Sequence, residues 1–369
     1  MDFGWTPEQD ALHQRMRQVG AEAALAPPAD RLTLLAERGA LGLAIPEAQG
    51  GAGHTLLDCA YAYEGLGASL PDGGTLLAAG AHLFGVACCI ARVGTDDQRA
   101  RWLPRLATGD ILATIAATEK DAGSDVAAVT TAIVDGDDGV CVTGDKAWVT
   151  SAADAGLFLV VGRTGDQRGL SVALVPRPES SSEKAVVPGA PLETLALSRA
   201  GLAPVRFEAA PGERLGKAGA GMAVFQTSMV LERALVLAFR LGAMERALDE
   251  AIVFVQRRKV GEKRIADHQA VSHRLARMKL RLESARLIAY RAAWALDRGD
   301  RGHLEAALAK WHLAEAAVEN ALDALRLRGG TGFLREAGLG ADLDEALGGS
   351  IHSGTGDVLA GIVAGWLGV

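Results

Sequence analysis

The chain has 369 residues and little of what would announce its chemistry at once. It has four cysteines, Cys59, Cys88, Cys89 and Cys141, with no CxxC spacing and no repeated frame. That pattern excludes a disulfide scaffold and leaves buried free thiols in a reducing compartment as the expectation. Basic residues are not in excess. The net charge of −7 offers no nucleic-acid patch and no polybasic membrane surface. The eight histidines form no ligand-spaced cluster; His268 and His273 fall on different faces of a helix, so metal catalysis is not expected. Neither a P-loop nor a GxGxxG fingerprint occurs. Met1–Trp5 does not lead from a basic segment into an apolar core, and no uninterrupted apolar run reaches spanning length. The expectation is a soluble, cytoplasmic protein without a membrane span.

What is present is a globular, helix-favouring composition, 49% apolar and 22% charged. The length suits two or three units sharing a large core. Thr6-Pro7-Glu8-Gln9 reads as a capping box with proline at the first helical position. Helical periodicity recurs near 30–40, 55–67 and 74–93, and Thr95-Asp96-Asp97-Gln98 starts another helix. Residues 1–113 therefore read as an N-terminal helical domain. β-prone runs at 129–134, 140–143, 157–162 and 170–176 follow, the first two flanking the turn Asp135–Gly139. A Thr/Gly/Asp turn separates the last two, and 177–200 read as strand plus loop. Residues 114–215 read as a middle antiparallel β domain. Long apolar-striped stretches at 222–257, 267–298 and 302–328 predict a C-terminal helix bundle over 216–369, closed by a short helix after Thr355. No internal repeat is evident.

Four places have room for chemistry. Ala116–Asp125 gathers hydroxyls, small residues and a glycine after an apolar run. It suits either a polar turn or a loop whose backbone lies against a flat ligand. Glu232-Arg233 is the one charged pair between Phe225 and Phe239. Neighbours on a helix point about 100° apart, so the two do not simply neutralise each other. Either they reach a polar edge of the bundle, or Glu232 is a desolvated carboxylate with a raised pKa, suited to abstracting a proton. Trp148, beside Thr150, fits a core strand position or the wall of a flat aromatic site. Gly329-Gly330-Thr331-Gly332 stops a helix or cradles a phosphate.

Taken together these residues resemble the acyl-CoA dehydrogenase family over essentially the whole chain. Thr118–Asp125 is similar to its T-E-P-x-A-G-S-D signature, and Gly144–Thr150 to its G-x-K-x-W-I-T segment. Arg257 to Gly261, His268-Gln269 and Gly329–Phe333 fall where its bundle motifs belong. The resemblance implies a helical domain, a β domain and a four-helix bundle, usually as a homotetramer or homodimer, with FAD as cofactor. Ala117 and Thr118 would meet the isoalloxazine edge, Gly123 and Ser124 its flank, and Trp148 and Thr150 the ring near N5. Arg257, Arg326 and Gly330 would come from a neighbouring subunit to the adenosine diphosphate half, and Thr355 would border FAD. Ser124, Arg233 and Ser353 would contact substrate. The implied reaction removes an α-proton by a carboxylate and passes a β-hydride to flavin N5. The substrate would be an acyl thioester on CoA or a carrier protein, with electron-transfer flavoprotein as a possible acceptor.

The chain departs from the family at four points. Lys120 replaces the signature proline, Val260 an aromatic, and Arg326 the usual glutamine before the Gly-Gly pair. In most members the base is the glutamate before a C-terminal Gly-Thr pair; here Ile351-His352-Ser353-Gly354-Thr355 puts a serine there. An unactivated hydroxyl is no base at neutral pH, although its backbone N–H can still serve the thioester oxygen. A minority of members place the base before an arginine on the bundle helix, which points to Glu232. Two other readings fit the same departures: a non-catalytic partner subunit of a heteromer, and a flavin monooxygenase-like member of the fold.

Overall fold

A computed structural model describes residues 4–136, 139–164, 169–178 and 185–369. Asp137 and Asp138 of the expected hairpin turn, most of the turn after Thr164, and part of the 177–200 stretch lie outside the described residues. The first unit contains α1 (Pro7–Leu25), α2 (Arg31–Glu37) and α3 (Leu56–Ser69). Then come α4 (Gly73–Gly80), a π-helical segment (Ala81–Ala87), α5 (Cys88–Val93) and α6 (Asp96–Thr108). Capping boxes at Thr6/Gln9, Thr55/Asp58 and Thr95/Gln98 satisfy the exposed first-turn donors of α1, α3 and α6. The expected starts at Thr6 and Thr95 are where the helices begin.

The middle unit contains β1 (Leu112–Ala116), β2 (Ala132–Gly136), β3 (Gly139–Val149) and β4 (Ala155–Thr164), followed by β5 (Leu170–Pro176), β6 (Val186–Pro188) and β7 (Ala203–Leu215). Most pairings are antiparallel, but β1–β4 and β2–β4 are parallel. Strand order runs β1-β4-β2-β3-β7-β5, and β5 also pairs with β4, which closes the hydrogen-bonded circuit. Period-two alternation divides the strands' side chains. Ile133, Val142, Phe158, Val175 and Phe207 fill the β core, with Phe158 and Phe207 edge to face at 5.7 Å. Leu157, Leu159, Val172 and Leu174 turn instead to the large helical core. The sheet is therefore fixed to the helices by its own second face.

The third unit is α7 (Gly221–Leu235), α8 (Ala238–Arg257), the short ribbon β8 (Lys259–Val260) and β9 (Lys263–Arg264), α9 (Gln269–Asp297) and α10 (His303–Arg328). Two further helices, α11 (Leu339–Gly349) and α12 (Gly356–Leu367), cover the end of the bundle. Helix α11 was not expected from the sequence, because its Gly-rich, short pattern carries no start signal. By length and composition, Gly73–Val93 and Gly221–Arg257 are apolar enough to cross a membrane, but 83% and 72% of those windows are buried in the protein's core. Three of the cysteines, Cys59, Cys88 and Cys89, are buried as expected; Cys141, on β3, is partly exposed.

Candidate active site

The loop after β1 is built on a buried ion pair. Glu119 accepts from the backbone N–H and hydroxyl of Thr130 (2.7 Å each) and from those of Thr131 (2.9 and 2.6 Å). Lys146 Nζ completes the set at 2.8 Å and also donates to the Ala117 carbonyl at 2.9 Å. Burial alone would raise the Glu119 pKa, but Lys146 and the threonine donors outweigh it and bring it to about 2. Burial pulls Lys146 down to about 8, against the opposing attraction of Glu119. The Ala147 N–H donates to the Thr118 carbonyl at 2.8 Å, which ties the loop to β3. Gly123 and Ser124 are thereby presented at the surface.

Next along β3, the ladder with β7 slips between Lys146 and Val149. Trp148 sits in that irregularity at φ +51° and is 52% exposed. A left-handed backbone at a bulky residue is strained, and it aims the indole out of the β core. The core reading of Trp148 is thus corrected: the bulge, not the strand's alternation, decides its direction. Thr150, two residues on, is half-buried.

Glu232 lies on α7 and is 7% exposed, which excludes the polar bundle edge. A Cβ added at Gly85 of the π-helical segment would lie 2.8 Å from Glu232 Oε2 and 2.8 Å from the Ile115 side chain. One carboxylate oxygen therefore packs against bare backbone, which only glycine permits. Ser228 of the same helix donates to the Gly85 carbonyl at 2.6 Å and pins that wall. The other oxygen, Oε1, accepts from the Ser353 hydroxyl. Burial raises the Glu232 pKa, while the Ser353 hydrogen bond and the charges of Arg233 and Lys310 oppose the rise.

Arg233 turns away from its neighbour and donates from Nε to the Ser353 carbonyl at 2.8 Å. Lys310 of α10, 1% exposed, donates to the Gly354 carbonyl. These two cations clamp a turn whose Ser353 has φ +57°. His352 Nδ1 lies 3.1 Å from Ser353 Oγ. Thr355 is the N-cap residue of α12, its side chain making no cap hydrogen bond. The structure thus brings Glu232, Arg233, Ser353 and Thr355 together. Lys310, His352 and Gly85 join them without having been expected. Lys310 had a visible signal, a single lysine in the run Ala306–Ala314 that is otherwise apolar but for Trp311 and His312.

Arg257, Arg326 and Gly330 lie exposed at the far end of the bundle. Arg257 lines an open groove with Arg258, Arg328, Phe254, Val253, Asp249 and Glu250, and Arg328 pairs with Glu250 at 3.4 Å. Arg326 does not line it; it lies 4.0 Å from Asp323 on its own helix. Phe333, at 85% exposure, stands free beside the Gly-rich stop.

Family models for the acyl-CoA dehydrogenase N-terminal, middle and C-terminal domains match residues 6–110, 114–210 and 219–368. The chain is 37% identical to L-prolyl-[peptidyl-carrier protein] dehydrogenase of Pseudomonas fluorescens over 99% of both chains. Its structure is similar to that of the prolyl acyl carrier protein oxidase AnaB (TM-score 0.93, 28% identity, 99% of this chain and 100% of that one). It is equally similar to that of PigA with FAD and proline (TM-score 0.93, 28% identity, 100% and 99%). Three domain models in order, on a chain that folds as helices, β barrel and helices, leave one assignment: this protein belongs to the acyl-CoA dehydrogenase family.

Proposed function

We propose that this chain is an FAD-dependent dehydrogenase of a carrier-protein thioester, with a prolyl group as substrate and Glu232 as the base. The observation that carries the reading is the buried Glu232 carboxylate, held by Ser353 at the position where most of the family has its own glutamate. The prolyl carrier-protein names of relatives similar over their whole length support the substrate class.

The residues present suit the cofactor. An exposed indole at Trp148 and a Gly123 with only the Thr118 methyl near it leave room for a flat ring against Thr118 and Thr150. Ala117, Ser124 and Thr355 border that region in this reading. At the far end of the bundle, Arg257 and Arg258 in a groove that also holds Asp249 and Glu250, with Arg326 and Gly330 at the same end, would meet the adenosine diphosphate half of FAD bound by a second copy. When bound, FAD supplies the acceptor for the β-hydride.

The chain's own residues supply the rest. Glu232 takes the α-proton, which leaves the electron pair to form the Cα–Cβ double bond as the β-hydride departs. The backbone N–H of Ser353, in a turn clamped by Arg233 and Lys310, is a donor for the thioester oxygen and stabilises enolate character at the α-carbon. Burial raises the pKa of Glu232, so the carboxylate is a stronger base than one in solvent. A retained, buried Glu232 weighs against a non-catalytic partner subunit.

The test is anaerobic titration of the purified flavoprotein with prolyl-loaded carrier protein beside a panel of acyl-CoA thioesters. Bleaching of the flavin by the prolyl thioester is expected. Bleaching by acyl-CoA alone would overturn the substrate assignment.

A further inference from the structure

Ser353 has one hydroxyl proton and two partners, and that count fixes the role of its neighbour. Its proton goes to Glu232 Oε1. His352 Nδ1, at 3.1 Å, must then be the donor to Ser353 Oγ, which places the ring's proton on Nδ1 and leaves Nε2 bare. Nε2 is buried and has no partner among the described residues. A bare lone pair suits a ring in the field of two cations, Lys310 and Arg240. We propose that His352 is a positioning residue: by donating from Nδ1 it holds the Ser353 hydroxyl as a donor to Glu232, and so keeps the base charged and aimed. The proposal rests on Glu232 being the base.

The chain of hydrogen bonds has a fixed polarity. With Nδ1–H occupying one side of Ser353 Oγ, the serine proton has Glu232 as its acceptor. Protonation of Glu232 on Oε2 would make Oε1 a weaker acceptor for that serine proton, so the arrangement favours the carboxylate. The surrounding charges act in the same direction. Arg233 comes from α7, Lys310 from α10, and Arg240 of α8 is paired with Glu345 of α11 at 3.1 Å. His303, at the start of α10, is in the field of Arg233. The π-helical segment contributes the bare backbone of Gly85; its His82 is engaged with the Leu106 carbonyl and the Ala113 N–H instead. Burial and the nearby cations hold His352 neutral, with its pKa down near 3, so the ring does not itself charge in the working range.

The discriminating experiment is the pH dependence of single-turnover flavin reduction by prolyl-loaded carrier protein, measured on the holoenzyme. His352→Leu removes the head of the donor chain and is expected to move the acid limb of the profile upward by about one pH unit, leaving the high-pH plateau largely in place. His352→Asn, whose amide nitrogen can occupy the Nδ1 position, is expected to restore the wild-type limb. If His352→Leu loses flavin, His352→Gln replaces it, because its amide reaches the Nε2 position and not Nδ1. An unmoved limb in the Leu (or Gln) variant, or an Asn variant that shifts as far as Leu, would overturn the proposal. Glu232→Gln is run alongside: flavin reduction in that variant would sink the base assignment itself. An inactive Glu232→Gln with unmoved limbs would sink the positioning role alone.

Discussion

Two buried carboxylates in this protein each sit near a lysine, and they are opposite in kind. Glu119 is saturated: four donors from Thr130 and Thr131 and the Lys146 ammonium surround it, and its pKa falls to about 2. Among the described residues Glu232 has one hydroxyl donor, and the nearby Lys310 spends its hydrogen bond on the Gly354 carbonyl; burial wins and the pKa rises. Glu64, a third case, also has a raised pKa from burial, yet its oxygens are taken by Arg286 and Tyr290. A raised pKa therefore does not mark a base by itself. What sets Glu232 apart is Oε2, which has no donor among the described residues and lies beside the bare backbone of Gly85.

The contrast can be broken deliberately. The largest effect is expected from Glu232→Gln, which should cut flavin reduction by about 10²–10⁴-fold, the usual contribution of a positioned base, with the flavin spectrum retained. Next, Lys146→Met should destabilise the fold by about 3–5 kcal/mol in urea unfolding, because it leaves Glu119 charged and buried without its cation. Gly85→Ala should cost about 1–3 kcal/mol through overpacking against Ile115 and should slow flavin reduction by displacing Glu232 Oε2.

The smallest and sharpest difference is in pH-dependent stability. The folded pKa of Glu119 is depressed, so its contribution is present above the ordinary carboxylate value and is lost as pH falls through about 2. Glu232 is raised, so its contribution is full below the ordinary carboxylate value and disappears as pH rises through its folded pKa. At pH 7, Glu119→Gln should lower the unfolding midpoint, while Glu232→Gln should leave it unchanged or raise it. Equal losses in the two variants would contradict the distinction between a saturated and an under-satisfied carboxylate.

Much of the architecture was legible in the sequence because its signals are local. Thr6-Pro7-Glu8-Gln9 and Thr95–Gln98 are caps that act within one turn, and they start helices where they stand. Glu232 was legible for the same kind of reason: a lone carboxylate in an apolar helix must be paired or used. The rest depends on contacts made across the fold. Trp148 is turned outward by a slip in a ladder with β7, some sixty residues on, and no alternation in β3 reports it. The parallel β1–β4 pairing is equally non-local. Glu119, within the most recognisable stretch of the chain, shows no sign in sequence of being the anchor for Thr130, Thr131 and Lys146. His352 and Gly85 become meaningful only once α7 has brought Glu232 between them.

The most direct measurement is stopped-flow, anaerobic flavin reduction by prolyl-loaded carrier protein, comparing the wild-type protein with Glu232→Gln at equal flavin content. Fast bleaching in the first and none on the same timescale in the second is the expected result. Equal bleaching in both would show that the α-proton leaves by another group, and that the under-satisfied carboxylate beside Ser353 is not the base.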